Sequence, residues 1–226
     1  IARAVRMGLR PLKADPPMRL VDWGRRHFKL TADSSHERGR WEPYPFQIGW
    51  LDAFSNDDIE QCDVAKAKRT GYTKGVALYV AYNATHRRRK QAVWQPTDDD
   101  RDSFVKTEIE PMISAIDVVR AARRSGRGAE DTIKFKAFRG SVAHFLGGKA
   151  MRAYRRITLD VAILDEIDAF DLVVEKTIDP VTGARGRLEG APYPKLIIGS
   201  TPRLKGFSHI ERQVAAADAR LRYRIN

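Results

Sequence analysis

The sequence predicts an α/β fold with a mainly parallel central sheet flanked by helices. Short apolar segments of strand character alternate along the chain with longer segments of helical periodicity. Two of the short segments, 158–164 and 195–198, are dominated by aliphatic residues, as expected of strands that are buried on both faces. Ligands of such sheets bind beyond the carboxyl ends of the strands, so the functional residues are sought there.

The predicted helices share apolar side chains repeated every three or four residues. Asp98-Asp99-Asp100 supplies an N-cap and a negative first turn for one of them, and Pro111 begins the next. In chain order the predicted helices are 20–28, 46–54, 73–86, 98–104, 112–122, 149–156 and 207–219.

The predicted strands are shorter and are bounded by Gly, Pro or charged residues. Two of them form a hairpin around Arg139-Gly140. The polar stretches 66–72 and 179–190 are predicted as loops. In chain order the predicted strands are 59–64, 91–94, 132–138, 141–146, 158–164 and 195–198.

Length, charge and composition limit the kinds of protein this chain can be. We expect a basic arm at 1–40, rich in Pro and Gly, and one domain at 41–226. The net charge is +12, and basic residues cluster at 87–90, 120–127, 152–156 and 220–224, which favours a polyanionic partner such as nucleic acid. There is no run of eighteen apolar residues and no visible signal peptide, and the single Cys62 excludes an intrachain disulfide.

The strand at 158–164 ends in two adjacent carboxylates, Asp165 and Glu166. Unpaired carboxylates beside a core cost several kcal/mol, so this pair requires a reason. Nucleoside triphosphate hydrolysis provides one, because the first carboxylate can hold the water shell of Mg²⁺ and the second can orient the attacking water. The alternative is a strand that simply meets an acidic turn.

Lys66 to Lys74 have the layout of a phosphate-binding loop, although they do not match the usual pattern of Gly, four residues, Gly-Lys and Ser or Thr. A predicted strand precedes them, a predicted helix follows, and Gly71 stands two residues before Thr73, the expected Mg²⁺ ligand. Tyr72 occupies the place of the usual lysine, so Lys66 is the best candidate to supply that charge. On this segment alone, a basic loop before an ordinary helix is the simpler interpretation.

A set of short motifs occurs in an order that is typical of one protein family. In order and spacing the set resembles the large terminase subunit of tailed phages, specifically the lambda-like DNA-packaging family, whose phosphate loop is displaced in the same way. The likeness spans roughly 23–212; each motif alone is weak, but the ordered set is specific. The motifs are Pro45-Phe46-Gln47, Lys66 to Lys74, Trp94-Gln-Pro-Thr97-Asp, Phe145-Leu-Gly-Gly148-Lys149-Ala, Asp165-Glu166, Gly199-Ser-Thr-Pro202 and Ile210-Glu-Arg.

This resemblance implies a three-layer P-loop NTPase fold of the ASCE type and an ATPase motor that moves double-stranded DNA into an empty capsid. ATP and Mg²⁺ would be its cofactors, and double-stranded DNA, the small terminase subunit and the portal protein of the capsid its partners. We expect a homo-oligomeric ring at the portal vertex in the host cytoplasm, a monomer in isolation, and no membrane association. The carboxyl-terminal nuclease domain of the family would be absent from this chain.

The resemblance also implies roles for individual residues. Phe46 and Gln47 match the segment that recognises adenine, with Phe46 packed in the core as the alternative. Thr73 and Asp165 would hold the metal, and Glu166 would polarise the attacking water, with Lys66 acting on the phosphates. The expected nucleotide-binding loop comprises Lys66, Ala67, Lys68, Arg69, Thr70, Gly71, Tyr72, Thr73 and Lys74.

Further roles follow from the later motifs. Ser200 and Thr201 resemble the motif that couples loss of the γ-phosphate to DNA movement, and Trp94 to Thr97 is interpreted as structural. Arg155 aligns with the candidate arginine finger that a neighbouring subunit would supply, and Asp168 is expected to cap a helix. Surface charge or DNA contact is the alternative for the finger segment, in which the rivals of Arg155 are Lys149, Arg152 and Arg156.

Two other functions fit parts of the sequence. A helicase-type translocase would share the Asp-Glu strand and the Ser-Thr-Pro segment, but it needs a second ATPase-like domain for which 226 residues leave no room. The non-enzymatic alternative is a basic DNA-binding or assembly module with a degenerate nucleotide fold, and the departure at Tyr72 keeps it open. In the motor, the clusters at 87–90 and 120–127 are the candidate DNA contacts.

Overall fold

The computed structural model describes residues 16–31, 38–124 and 131–217. Most of the predicted arm, part of the basic cluster at 120–127 and the whole of the cluster at 220–224 lie outside these residues.

A seven-stranded sheet forms the centre of the described chain. Its strands are β3 (Gln61–Ala65), β4 (Gln91–Gln95), β5 (Asp131–Thr132), β6 (Phe135–Phe138), β7 (Ser141–Gly147), β8 (Val161–Asp165) and β9 (Lys195–Ser200). The spatial order is β3-β9-β8-β4-β7-β6-β5. The first five strands in that order are parallel, and β6 and β5 extend the sheet in antiparallel fashion. Two further strands, β1 (Lys29–Leu30) and β2 (Gly39–Arg40), form a separate antiparallel ribbon.

Helices flank the sheet, and none in the described part of the chain is long and apolar enough to cross a membrane. Short π-helical turns follow two of the helices at Asn83–Arg87 and Val105–Ile109, and 3₁₀ turns lie at Met151–Tyr154 and Ile167–Ala169. The α-helices are α1 (Leu20–His27), α2 (Pro45–Ser55), α3 (Tyr72–Tyr82), α4 (Asp98–Phe104), α5 (Glu110–Ala115), α6 (Asp117–Ala122), α7 (Pro180–Arg185) and α8 (His209–Ala216).

Strand β8 shows why the fold has three layers. Its side chains alternate between two hydrophobic clusters: Val161 and Ile163 pack with α1 to α6 on one face, and Ala162 and Leu164 pack with α7 and α8 on the other. All four are fully buried. Because successive side chains of a strand point to opposite faces, a strand covered on both faces must be continuously apolar, as the sequence predicted.

The amino-terminal helix belongs to this core. In α1, Leu20, Val21 and Trp23 are buried, and a Cβ on Gly24 would lie 2.6 Å from the ring of Trp41. The chain from Leu20 onward is therefore a layer of the domain and not part of a separate arm.

Two predicted elements differ from the structure because local capping signals decide them. The predicted loop 179–190 contains α7, since the Asp179 side chain accepts the Thr182 N–H and Pro180 takes the first helical position. The predicted helix 149–156 is only a 3₁₀ turn, because the backbone at Ala150 and Arg155 on either side is extended.

Helix boundaries near the middle of the chain also differ. Thr97, not an aspartate, is the N-cap of α4: its hydroxyl accepts the Asp100 N–H at 3.0 Å. The predicted helix 112–122 is two helices, since Ile116 is extended between α5 and α6.

Strand register brings three carboxyl ends together. Ala65 of β3 pairs with Ser200 of β9, and Gly199 pairs with Asp165 of β8. The Lys66 N–H donates to the Ser200 carbonyl at 3.0 Å. The loop after β3, the acidic end of β8 and the end of β9 therefore share one edge of the sheet.

Candidate active site

The loop after β3 ends in a helix start whose backbone can hold phosphate. Gly71, with φ of +77°, is the N-cap of α3, and the first bond of the helix runs from the Gly75 N–H to the Gly71 carbonyl. The N–H groups of Tyr72, Thr73 and Lys74 therefore lie in the first turn, where no helical carbonyl can accept them. Such a turn attracts anions, so the loop retains the backbone chemistry of a phosphate site.

Lys66 is the cation that this loop directs toward β8. Its ammonium contacts Glu166 Oε1, and only 9% of its side chain is exposed. The same ammonium lies 5.2 Å from the centroid of the Tyr72 ring. A partly buried lysine with one carboxylate partner can transfer to a stronger anion, such as a phosphate.

Glu166 is held by three groups at the sheet edge. Besides Lys66, its Oε2 accepts the Ser200 hydroxyl and the Thr201 N–H, each at 3.4 Å. Glu166 has left-handed backbone angles (φ 57°, ψ 49°), which are strained for a residue with a side chain. The predicted coupling residues thus contact the predicted catalytic residue directly.

Asp165 is buried and carries an oxygen without a partner. Gln95 Nε2 donates to Oδ2 at 2.9 Å, whereas Oδ1 has no hydrogen-bond partner within the described residues. Burial raises the pKa of Asp165 to about 6, against the lowering effects of the Gln95 hydrogen bond and the Lys66 charge.

The free oxygen of Asp165 fits a divalent cation. Mg²⁺ prefers oxygen ligands and is commonly bound through one or two carboxylates plus phosphates and waters. The described residues contain no cluster of three His, Cys, Asp or Glu side chains that could enclose a metal.

The Tyr72 side chain does not face the phosphate position. It is 2% exposed and packs against Trp50 and Phe54. A Cβ on Gly199 would lie 2.2 Å from the Tyr72 ring, so the glycine of β9 makes the room. Tyr72 was predicted to bind nucleotide. Because its side chain is packed in the core, its contribution is limited to the backbone N–H.

Lys74 is likewise engaged elsewhere. Its ammonium lies 2.5 Å from Glu108 Oε2, and both side chains are mostly buried. Its predicted contribution to the nucleotide site is thus also limited to the backbone. The more amino-terminal loop residues Ala67, Lys68 and Arg69 are exposed, and the Thr70 hydroxyl donates to the Ala67 carbonyl.

Phe46 and Gln47 lie at the start of α2 beside this loop. Phe46 is 38% exposed and stacks on Tyr44 with a centroid distance of 5.6 Å, so the alternative of a core position is wrong. Gln47 is buried: its Nε2 donates to the Thr70 carbonyl at 2.8 Å, and its Oε1 accepts the Tyr44 N–H at 3.0 Å. A Cβ on Gly71 would lie 2.5 Å from Gln47 Nε2. Gln47 thus fixes the phosphate loop to the aromatic pair.

The candidate arginine-finger segment is an exposed basic turn that two buried residues, Ala153 and Tyr154, anchor to the core. Tyr154 stacks on Trp94 at 5.5 Å, and Trp94 Nε1 donates to the Ala153 carbonyl at 3.1 Å. Arg152 and Arg155 are exposed on either side of that anchor. The structural interpretation of Trp94 therefore holds. The structure does not bring Arg155 to Glu166, whose side chain contacts Lys66, Ser200 and Thr201 in the described chain.

The cluster at 87–90 is less available to DNA than the sequence suggested. Arg87 and Arg89 form ion pairs with Asp57 at 3.4 and 2.8 Å. The cluster also precedes β4, which places it at the amino edge of the sheet, opposite the candidate site. Arg87 and Arg89, two of the four cations of the cluster, are therefore engaged in ion pairs within the domain.

Two residues near the site were not predicted to serve it. Gln95, the donor to Asp165, lay in a motif interpreted as structural, although its place at the carboxyl end of β4 was a usable signal. Asp168 caps a helix as predicted, but a distant one: it accepts the Ile210 N–H of α8 at 2.9 Å and the Arg203 N–H at 3.1 Å. Although burial alone would raise it, these hydrogen bonds and those from Ser208 and His209 lower the pKa of Asp168.

Known proteins resemble this chain in sequence and in structure. Residues 35–226 match the family model of the phage terminase large subunit gpA, ATPase domain. The chain is 37% identical over 224 residues to the large terminase subunit of Escherichia phage lambda, and 37% identical over 214 residues to that of Enterobacteria phage P21. These alignments cover 98% and 93% of this chain but 35% and 33% of the relatives, so the chain spans about a third of their length.

The fold has a counterpart among solved structures. The crystal structure of the HK97 bacteriophage large terminase superposes with a TM-score of 0.69 at 13% identity, over 87% of this chain and 40% of that one. At this identity the likeness concerns the fold, and it confirms the predicted α/β architecture. With the family model covering most of its length, the chain belongs to the ATPase domains of phage terminase large subunits of the gpA family.

Proposed function

We propose that this chain binds ATP with Mg²⁺ between the loop at Lys66 to Gly71 and the acidic end of β8, and hydrolyses the γ-phosphate there. The observation that carries the proposal is the ion pair between Lys66 and Glu166. It joins the phosphate loop to the candidate catalytic carboxylate, so a terminal phosphate bound by the loop would lie beside Glu166.

Phosphate binding combines backbone and side-chain groups. The N–H groups in the first turn of α3 would hold the phosphate oxygens, and Gly71 lets the backbone approach them. Lys66 supplies a mobile positive charge, and the exposed Arg69 a second one.

The metal would be held by Asp165 and Thr73. Asp165 Oδ1 is buried and has no hydrogen-bond partner among the described residues, and Thr73 is the second residue of α3, in the first turn after the phosphate loop. When bound, Mg²⁺ neutralises charge on the β- and γ-phosphates. Gln95 would hold the Asp165 carboxylate in place through its 2.9 Å hydrogen bond.

Glu166 would orient the attacking water. While Lys66 is paired with it, Oε1 is occupied by the ammonium and is not available to accept a hydrogen bond from the water. Transfer of Lys66 to the phosphate frees Oε1 for the water, and Oε2 stays bound to the Ser200 hydroxyl and the Thr201 N–H, which follow the carboxylate when it moves. Nucleotide binding thereby activates the carboxylate that acts on it.

The base would stack on the aromatic pair of Tyr44 and Phe46. The two rings are parallel, at 3° between planes, and partly exposed, which suits an aromatic ligand. Gln47 would act chiefly by connecting this pair to Thr70 in the phosphate loop.

For the whole protein we propose the role of a DNA-packaging motor. Its partners would be double-stranded DNA, the small terminase subunit and the portal protein, and it would act as a ring in the host cytoplasm. The exposed Arg155 would reach the γ-phosphate of a neighbouring subunit, because a cation on the transition state is what this reaction requires. The relatives' names, at 37% identity, support this proposal.

Titration of the purified chain with a fluorescent ATP analogue, with and without Mg²⁺, tests the proposal. Saturable binding that Mg²⁺ strengthens is expected, together with slow hydrolysis of ATP by the isolated chain. Absence of saturable binding, combined with steeply salt-dependent DNA binding, would favour the degenerate module instead.

A further inference from the structure

Asp168 connects the catalytic turn to the loop that leaves β9. Its Oδ2 accepts the Arg203 N–H at 3.1 Å, and its Oδ1 accepts the Ile210 N–H at 2.9 Å. One carboxylate therefore binds the backbone within the loop 201–208 and at the start of the helix that follows it. Ser208, the N-cap of α8, uses its own hydroxyl for the Glu211 N–H, so Asp168 satisfies a separate donor of the same helix start.

The backbone of Asp168 is tied to Glu166 through one serine. The Asp168 N–H donates to Ser200 Oγ at 3.2 Å, and the same hydroxyl lies 3.4 Å from Glu166 Oε2. The Ser200 hydroxyl thus contacts both Glu166 and the backbone of Asp168. A shift of Glu166 would therefore change the contacts of the hydroxyl that holds the Asp168 turn. Ser200 is fully buried, so this contact is not exchanged for water at the surface.

The loop that Asp168 holds presents apolar side chains outward. Leu204 and Phe207 are 64% and 77% exposed, and they alternate with the exposed cations Arg203 and Lys205. At its start the Thr201 N–H donates to Glu166 Oε2, and farther along the Phe207 N–H donates to the Leu204 carbonyl and the Gly206 N–H to Glu211 Oε2. From Arg203 onward, the position of the loop relative to the sheet edge thus depends on the Asp168 carboxylate.

We propose that Asp168 is a positioning residue that transmits the state of Glu166 to the loop 201–208. The inference rests on the proposed function. When Lys66 leaves Glu166 for a phosphate, Glu166 and Ser200 rearrange, and the turn carrying Asp168 moves the loop through the hydrogen bonds of its carboxylate. The position of the loop, and of its exposed Leu204 and Phe207, then differs between the nucleotide-free and the nucleotide-bound protein.

The test compares Asp168→Ala and Asp168→Asn with the matched control Asp171→Ala, an exposed carboxylate on the same segment. A fluorophore on Leu204→Cys in a Cys62→Ala background reads the loop, while ATP turnover and analogue affinity are measured on the same proteins. In the parent protein, ATP with Mg²⁺ changes the probe signal. Asp168→Ala abolishes that change and lowers kcat by about 10²-fold, while KM for ATP stays within about twofold.

Asp168→Asn keeps one acceptor oxygen and is expected to be intermediate, and Asp171→Ala to match the parent. A preserved probe response with normal kcat in Asp168→Ala would overturn the proposal, as would equal losses of kcat and nucleotide affinity, which indicate a structural role alone. If Asp168→Ala does not fold, the same two outcomes in Asp168→Asn decide. A parent protein that binds no ATP refutes the proposed function instead.

Discussion

The ammonium of Lys66 contacts the carboxylate of Glu166 across one hundred residues of sequence. Lys66 follows β3, and Glu166 follows β8, with β9 between the two strands. The pair exists because parallel register places the three carboxyl ends side by side. The pair thus joins the cation of the phosphate loop to the carboxylate that would act as the base of the proposed reaction. A phosphate that attracts Lys66 would therefore change the contacts of both side chains.

Replacing Lys66 with Met should weaken binding of a fluorescent ATP analogue by about 10- to 100-fold, since a charge-assisted hydrogen bond contributes roughly 1.5–3 kcal/mol. Lys90→Met is the control, because Lys90 is an exposed lysine directly before β4, at the opposite edge of the sheet. Equal affinities for both variants would remove Lys66 from the phosphate site.

Replacing Gln95 with Ala should raise the Mg²⁺ concentration for half-maximal turnover by about 10-fold or more, because partners of metal-binding side chains contribute that much to affinity. The control is Gln91→Ala on the same strand, whose buried amide donates to the Val80 carbonyl and not to Asp165. A Mg²⁺ requirement that is raised equally in both variants would point to general loosening of β4.

Replacing Gly199 with Ala should lower the free energy of unfolding by about 1–3 kcal/mol, the usual cost of overpacking, because the new methyl group meets the Tyr72 ring. The matched control is Gly186→Ala, where the nearest atom to the added Cβ lies 3.6 Å away and φ is −62°. That change should be neutral or stabilising by about 0.4–1 kcal/mol. Urea unfolding measures both, and a stable Gly199→Ala protein would contradict the packing described for Tyr72.

The loss of folding stability at acid pH should depend on Asp131. Burial would raise its pKa, but hydrogen bonds and charge from Arg123 and Lys136 outweigh burial and lower it. A carboxyl with a folded-state pKa below its unfolded value stabilises the fold above the unfolded value, near 3.8, and this contribution is lost as pH falls through the folded pKa.

Asp131→Asn should therefore reduce stability at neutral pH and flatten the loss of stability below about pH 4, measured by thermal unfolding across pH. Asp99→Asn, an exposed aspartate on α4, serves as the control and should follow the parent curve. Identical slopes for the parent and Asp131→Asn would contradict the lowered pKa.

The features that the sequence predicted correctly are set by residues that are close together in the chain. The aliphatic run of β8 and its acidic end are local signals, and so is the glycine before α3. The pairing of β6 with β7 around Gly140, where φ is +83°, follows from the alternating pattern. These features need no knowledge of the rest of the chain.

The features that were missed depend on distant partners. The inward turn of Tyr72 requires the space at Gly199, and the pairing of Arg87 and Arg89 requires Asp57. Neither relation shows in local patterning. α7 is different, because its signal, Asp179 before Pro180, was present in the sequence and outweighed by the polar composition around it.

The most direct test of the central claim compares Glu166→Ala with the parent and with Glu60→Ala, an exposed control. ATP hydrolysis is followed under single-turnover conditions, and binding of the fluorescent analogue is measured on the same samples. The site described here predicts that Glu166→Ala binds the analogue at least as well as the parent, since Lys66 is released, but does not hydrolyse ATP. Hydrolysis at the parental rate in Glu166→Ala would contradict it.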